Sequence, residues 1–539
     1  MYSKLINIGV VALPLFALSV EGATFKVPFG QNKTALAAPS FRVAGVNLKA
    51  KIQVANAIYF QTNALDADNE VVACKIKSDG SISSHKKFKT GGKGGQAKKL
   101  DRVAADTSTA DDGFGAPSTA ATDALFSQHS LIVVDEYLFT VNAGSNSVTM
   151  FRIDRSDPCK LTQVGKVVTS HGDLPVSLAY SKKLKTLCVA NSGDRSGVAC
   201  YNVDGGKGLS CMDKEPLQRT GTTEKGANGA GTISDIFFTM DDKSLVVVTK
   251  GNKAANQTST VDVYPTSSKS KTKVTTNGVR SEIKGAPTLY GTIQVNDRWF
   301  YATDGTFGLA KLQFDPSSRK VTLVDSDTEA IDFQSSTGWI AKSERTGSVY
   351  VSDLQMNRIV EFNVKDANRT ADQSFLSGQP GNLDVAVGGD FLYTLSPSNP
   401  DLASNTSMIQ IMYLREKGNM TDLGSYVFDA DDHITSQAHG MGVYGGKTSG
   451  SIMDVVKQYL PQINSVVSEP PAVQSTSSSS STSSTSSASS ASSASPASST
   501  STEPAADSTP ASEPTTSASV ADASPSNDSA DGYKKRYRL

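Results

Sequence analysis

The sequence predicts an all-β protein: a seven-bladed β-propeller followed by a disordered Ser/Thr-rich tail. Three observations carry this reading. A unit of three short strands, separated by turns rich in Gly, Asn and Asp, recurs along the chain. Its spacing of roughly 45–60 residues is that of four-stranded propeller blades. The first copy lacks its opening strand, while a lone opening strand, Gly440-Met-Gly-Val-Tyr444, follows the last copy. Joined, the two fragments make a seventh blade and close the ring by pairing a C-terminal strand with the N-terminal blade. A pair of β-sandwiches would need neither seven copies nor a split one.

Taken in order, residues 1–22 place Lys4 ahead of the apolar run 10–20 and end on the small residues Gly22 and Ala23. The run is too short to span a bilayer and fits a secretory signal. No other stretch of about 18 apolar residues occurs, so no membrane span is expected. The ring is expected over 23–445, beginning with the incomplete copy at 57–63 and 70–76. Residues 90–124 are rich in Gly, Ala, Asp and Lys and are too long and polar for a turn, so they read as a loop inserted over one face. The clearest unit is 131–154: an apolar run, a tight Asp135-Glu136 turn, Tyr137 to Val141, the turn Asn142-Ala-Gly-Ser-Asn146, then the alternating Val148-Thr-Met-Phe-Arg-Ile153. β-Branched and aromatic residues favour the pleat, and Gly and Asn tolerate the turn conformations. The same pattern returns from Ser177, Asp235, Tyr290, Thr337 and Leu383.

Beyond the ring, Ile452, Val455, Val456, Tyr459 and Leu460 recur at helical spacing until Pro461. The stretch 446–468 therefore reads as a linker with a short amphipathic helix packed on the propeller, and it lacks the basic polar face that membrane binding would need. Residues 469–539 are almost entirely Ser, Thr, Ala and Pro, a composition that cannot bury enough apolar surface to order itself. In a secreted chain it suggests an O-glycosylated stalk. The ending Gly532-Tyr-Lys-Lys-Arg-Tyr-Arg-Leu539 is not the hydrophobic tail of a glycolipid anchor.

A formal net charge of −1 gives no global field toward nucleic acid or an anionic membrane. The local run Lys86-Lys-Phe-Lys with Lys98-Lys reads as a solvated loop. Sequons at Asn32, Asn256, Asn368, Asn405, Asn419 and Asn527 predict N-glycans if the chain enters the secretory path. Five cysteines, at 74, 159, 188, 200 and 211, are an odd number. Cys188 and Cys200 lie equidistant from a turn near Asp194 on adjacent strands and are the favoured disulfide. Cys200 and Cys211 are symmetric about Gly205-Gly206, so that bridge stays open as the alternative.

The turns Phe139-Thr-Val-Asn-Ala-Gly-Ser-Asn-Ser-Val-Thr-Met-Phe-Arg-Ile-Asp154 and Leu174-Pro-Val-Ser-Leu-Ala-Tyr-Ser181 resemble the lactonase and 3-carboxymuconate cyclase propeller family, in its secreted fungal branch. The resemblance spans about residues 40–445 and implies the seven-bladed fold. For some members it also implies lactone hydrolysis or muconate cyclisation. Catalytic members carry Arg and His before an innermost strand, in a Pro-Arg-His type run, and a Glu in an Asn-Glu-Leu type turn. Here Ile233-Ser-Asp-Ile and Ser335-Ser-Thr-Gly-Trp stand at comparable strand starts, and Thr249-Lys-Gly-Asn and Thr303-Asp-Gly-Thr at comparable turns. The catalytic pattern is absent.

In a propeller, the starts of innermost strands and the turns between second and third strands share one face around the channel mouth. That rule gathers His129 and His439 as candidate acid–base residues and Arg195 as a carboxylate holder. Asp235, Tyr290, Asp304, Trp339, Asp353 and Asp384 become candidate ligand contacts, with Gln128, Asn142, Asp194 and Lys250 beside them. Turn residues such as Asn142, Asn191, Asp304 and Asp353 recur in register, however, which suits backbone capping whatever the function. No cofactor or metal site is expected; a channel cation shared by Asp235 and Asp384 is the weaker alternative. No Cys/His zinc spacing, nucleophile elbow, phosphate loop or dinucleotide fingerprint occurs. The expectation is a secreted, extracellular, cell-wall-associated glycoprotein that binds a wall polysaccharide or a host or other extracellular protein. The rival is a lactonase or carboxymuconate cyclase acting on a small lactone.

Overall fold

The computed structural model describes residues 51–97, 123–212, 229–252, 255–269, 273–324, 328–334, 336–354, 356–374, 381–398 and 406–451. The signal at 1–22, most of the inserted loop, the linker helix, the tail, and Asn32, Asn405 and Asn527 lie outside them. The described residues form seven antiparallel sheets arranged as the blades of a propeller, each with its strands in sequence order from the axis outward apart from the split first blade. No described helix is long and apolar enough to cross a membrane.

Blade 1 begins on the axis with His439–Ser451 and continues through Lys51–Gln61, Asp68–Ile76 and Ile82–Lys93. Blade 2 holds Leu131–Val134, Tyr137–Asn142, Ser147–Ile153 and Leu161–Gln163. Blade 3 holds Pro175–Ser181, Thr186–Asn191, Gly197–Asp204 and Gly208–Cys211. Blade 4 holds Ile233–Phe238, Ser244–Thr249, Thr260–Pro265 and Val279–Glu282. Blade 5 holds Leu289–Gln294, Trp299–Asp304, Gly308–Phe314 and Val321–Leu323. Blade 6 holds Thr337–Ser343, Ser348–Asp353, Arg358–Asn363 and Arg369–Ser374. Blade 7 holds Asp384–Gly388, Phe391–Ser396, Met408–Glu416 and Asn419–Val427.

The second strands are buried along almost their whole length, as in Thr186–Asn191 and Ser348–Asp353. Each is covered by neighbouring blades on both faces, so side chains are buried at every position rather than every other one, apolar mid-strand and polar at the ends. The outermost strands are short and largely exposed, as in Leu161–Gln163.

Ring closure follows the expected pairing: Tyr59 faces Gly442 and Phe60 faces Met441. The paired strand runs further than the sequence suggested, with Lys51 opposite Ser451, because residues 51–54 offer it an edge beyond the expected boundary at 445. Phe60 and Phe428 pack edge to face at 5.4 Å across the seam, and His85 joins Tyr426 and Asp432 at 3.0 and 2.8 Å. The inserted loop also starts later than 90. Ile82–Lys93 is one continuous strand, with Thr90 donating its hydroxyl to Asn69 O and Asn142 Oδ1.

Cys188 and Cys200 sit directly opposite one another, Cα to Cα 4.1 Å, and form a disulfide. The alternative Cys200–Cys211 bridge fails on register. Cys211 is opposite Tyr201, one position off, and a one-residue offset points the two side chains to opposite faces. Cys74 and Cys159 are buried on opposite sides of blade 1, in the core shared with blade 7 and that shared with blade 2, and Cys211 is exposed.

Candidate functional site

Innermost strands expose one row of backbone groups to the axis, and such an edge needs a partner or water. Here part of that edge is met by the chain itself. Residues 123–130, ahead of the first strand of blade 2, form a strap across the ring centre. The Gln128 amide donates to Ser234 O of blade 4, and the Leu178 amide of blade 3 donates to His129 O. The Gln128 carboxamide donates to Ile340 O of blade 6 at 2.9 Å, and Trp339 Nε1 donates to Ser127 O at 3.2 Å. Ser127 donates its hydroxyl to Val176 O at 2.8 Å. Gly291 makes room: a Cβ there would lie 2.0 Å from Gln128 Oε1. Phe126 and His129 adopt left-handed backbone, φ 50° and 64°, which is costly for bulky residues.

Two carboxylates fasten this strap. Asp123 Oδ1 accepts from the Phe126 amide at 2.8 Å and lies 3.0 Å from His439 Nε2, while Oδ2 accepts the Tyr290 hydroxyl. His439 Nδ1 meets Ser130 Oγ at 2.9 Å, and Ser130 in turn accepts from Gln61 Nε2. His439 is fully buried, so both its nitrogens are committed inside the protein.

Asp235, in blade 4, is the second anchor. Its Oδ1 lies 2.7 Å from His129 Nδ1 and accepts from Ser177 Oγ and the Ile236 amide; its Oδ2 accepts from the Thr292 amide and hydroxyl. It thereby ties blades 2, 3, 4 and 5. His129 retains 29 % exposure of its side chain, and Nε2 has no hydrogen-bond partner among the described residues. Burial pushes the imidazole pKa down, but the Asp235 charge and hydrogen bond, with Asp384 behind them, outweigh it and hold the pKa above the ordinary value. Asp384 is buried and pushed up to about 6, against the pull of His439, His129 and the amides of Val385 and Met441.

Lys250 is buried, donates to Phe126 O at 2.5 Å and lies 5.1 Å from the Tyr290 ring centroid. Burial lowers its pKa to about 7 despite Asp123 and Asp235. Burial, then Asp123, raises Tyr290 well above its ordinary value. Trp339 packs its ring against Tyr290 at 5.2 Å and His439 at 6.1 Å.

His129, His439, Asp235, Tyr290, Trp339, Asp384 and Lys250 thus belong to one axial cluster. Arg195 does not join it: its side chain is 65 % exposed and its guanidinium bonds Asp173 in its own blade. Asp304 is buried and caps its turn through Thr288 and Thr306. Asp353 pairs with Arg358 at 3.0 Å, and Arg358 also donates to Asp332 O. Asp235 and Asp384 each turn oxygens to donors of the protein. Asp123 was missed from sequence because it closes a polar Ala/Asp stretch that reads as loop; no local signal marks it.

No protein-family model and no curated protein matches the chain. Among solved structures it is similar to a Bacteroides fragilis protein assigned by name as a 6-phosphogluconolactonase, at 13 % identity and TM-score 0.47, covering 74 % of this chain and 99 % of that one. The periplasmic gluconolactonase of Pseudomonas aeruginosa is similar at 14 % identity and TM-score 0.48, covering 74 % and 99 %. A Lactobacillus plantarum protein is similar at 11 % identity and TM-score 0.48, covering 73 % and 99 %. At these identities no residue role is carried over from them, and the chain stands as a seven-bladed β-propeller whose axis is strapped by its own residues 123–130.

Proposed function

We propose that the chain is a secreted or cell-surface glycoprotein whose propeller binds a cell-wall polysaccharide or an extracellular protein without turning it over. The observation that supports this reading is the inward use of the axial chemistry. In the chain Tyr290–Asp123–His439–Ser130 every polar group serves the strap, and His439 has no exposed atom to offer a substrate. Arg195, the candidate carboxylate holder, is exposed and its guanidinium is taken by Asp173. The signal, the sequons and the Ser/Thr tail support the extracellular setting. Glycan-array and pull-down measurements on the intact protein test it. Saturable binding with no lactone turnover supports the reading, and turnover of a lactone that His129→Ala abolishes overturns it.

A second reading has its own observation. A buried carboxylate holding one nitrogen of an accessible imidazole, with the other nitrogen unbonded, is the arrangement of an oriented acid or base. On that reading the chain is a hydrolase or cyclase of small lactones or aromatic-breakdown products. Release or closure of a carboxymuconate or aryl lactone would be measured, and retention of full turnover in His129→Ala would sink it.

A further inference from the structure

His129 is held from three sides. Ahead of it, Gln128 is seated by its amide on Ser234 O and by its carboxamide on Ile340, in a space that Gly291 leaves open. At His129 itself the backbone is left-handed, and its carbonyl accepts from the Leu178 amide. Beyond it, Ser130 closes onto His439 and Gln61. A left-handed histidine is unfavourable on its own and persists only where its neighbours over-determine it. Neighbours from blades 1, 3, 4 and 6 do so, alongside the Val141 amide of its own blade, which donates to Ser130 O.

We propose that Gln128 is a positioning residue: its seating between the innermost strands fixes the backbone that presents His129, so that strapping the axis and forming the His129–Asp235 pair are one event. The product of that event is an oriented imidazole: Nδ1 is held on Asp235, while Nε2, on a side chain that keeps 29 % exposure, has no hydrogen-bond partner among the described residues. With Nδ1–H donating to Asp235, the neutral ring offers Nε2 as an acceptor for a ligand hydroxyl. The protonated ring offers it as a donor to a carbonyl or carboxylate oxygen. The same presentation serves a ligand that is only bound and one that is turned over.

The titratable groups that set this imidazole are Asp235 from blade 4 and Asp384 from blade 7, with Lys250 and His439 in the same cluster. The test is a ring-carbon NMR titration of the full chain labelled at its five histidines, with the His129 signal assigned by its loss in His129→Gln. In the wild type it is expected to titrate above the ordinary midpoint of about 6.5, and Asp235→Asn to lower it. Gln128→Ala is expected to lower the midpoint by roughly half a unit or more, because the ring is no longer held against Asp235, while the signals of His85, His171 and His433 stay in place. Gly291→Ala, which expels the carboxamide from the other side, is expected to do the same and serves if Gln128→Ala does not fold. An unchanged His129 midpoint in the folded variants, with Asp235→Asn still lowering it, overturns the positioning role. A wild-type midpoint that ignores Asp235→Asn overturns it too, since the pair would then not form in solution.

Discussion

Asp235 reaches from blade 4 to Thr292 of blade 5, where one carboxylate oxygen accepts both the amide at 3.0 Å and the hydroxyl at 2.6 Å. The other oxygen holds His129 and Ser177, so one side chain closes donors from four blades. Asp235→Ala leaves these donors without their acceptor inside the protein, a loss of order 3 kcal/mol or more. Urea unfolding is expected to show it, with a larger deficit at pH 6 than at pH 9. The sign follows from His129: its pKa is raised in the folded state, so the pair's contribution is present below the unfolded value and lost as pH rises through the folded one.

Asp384→Asn is expected to act in the opposite sense. The carboxyl is raised to about 6 by burial, so the folded state holds its proton where the unfolded chain has lost it. Its contribution is intact in acid and disappears as pH climbs through about 6. An uncharged Asn escapes that loss. Wild type and variant should therefore match near pH 4 and diverge by up to roughly 3 kcal/mol at pH 7.5, in favour of the variant. A variant less stable than wild type at pH 7.5 would show that the charge is better paired than this.

Lys250 gives a third pH signature, in the alkaline range. Its pKa falls to about 7 on folding, so the folded state holds fewer protons than the unfolded chain from there up to the ordinary lysine value. Stability from this residue accordingly rises with pH across that window. Lys250→Met should remove the rise: the difference between wild type and variant, read by urea midpoints at pH 6.5, 8 and 9.5, grows in favour of wild type as the amine becomes a neutral donor to Phe126 O.

The sequence disclosed the ring far better than its centre. Strands such as Leu245–Thr249 within Ser244–Thr249 announce themselves because both faces are buried and β-branched residues fill them. The closing strand was legible because the sequence pattern leaves an opening strand at 440–444 without a successor and a first copy without its opening strand, and the two pair in the structure. The outermost strands were not, since a short exposed strand such as Leu161–Gln163 carries little hydrophobic pattern. Nor was the strap. Ser127, Gln128 and Ser130 look like loop residues locally, and the partners that bury them, Ile340 and His439, are more than two hundred positions away. The histidines were found because they stand at strand starts; Arg195 was found by the same rule, which says where a residue sits and not which way its side chain turns.

Cys188–Cys200 staples two strands that already share a ladder. Closing a loop of about a dozen residues restricts the unfolded chain by about 3 kcal/mol in the chain-entropy account. The double variant Cys188→Ala/Cys200→Ala should lose about 2–3 kcal/mol of unfolding free energy and keep its far-UV spectrum, because the ladder and the neighbouring blades persist. Peptide mapping under non-reducing conditions should recover the 188–200 link and no link from Cys200 to Cys211, whose strand register turns them apart.

Glycan occupancy should separate the sequons by what surrounds them. Asn368 and Asn256 are exposed on turns, so a glycan there displaces nothing. Asn419 is half-buried at a hairpin, its side-chain oxygen is buried without a partner, and the hydroxyl residue of its sequon, Thr421, is buried in blade 7. Attachment occurs on an extended, accessible Asn-X-Thr, and this one is drawn into the sheet between Asn419 and Val427 as soon as blade 7 forms. On protein expressed through a secretory pathway, glycopeptide mass spectrometry is expected to find Asn256 and Asn368 occupied and Asn419 largely bare. Near-complete occupancy at Asn419 would mean that this hairpin folds after the glycan is added, or that the Asn419 side chain turns outward in solution.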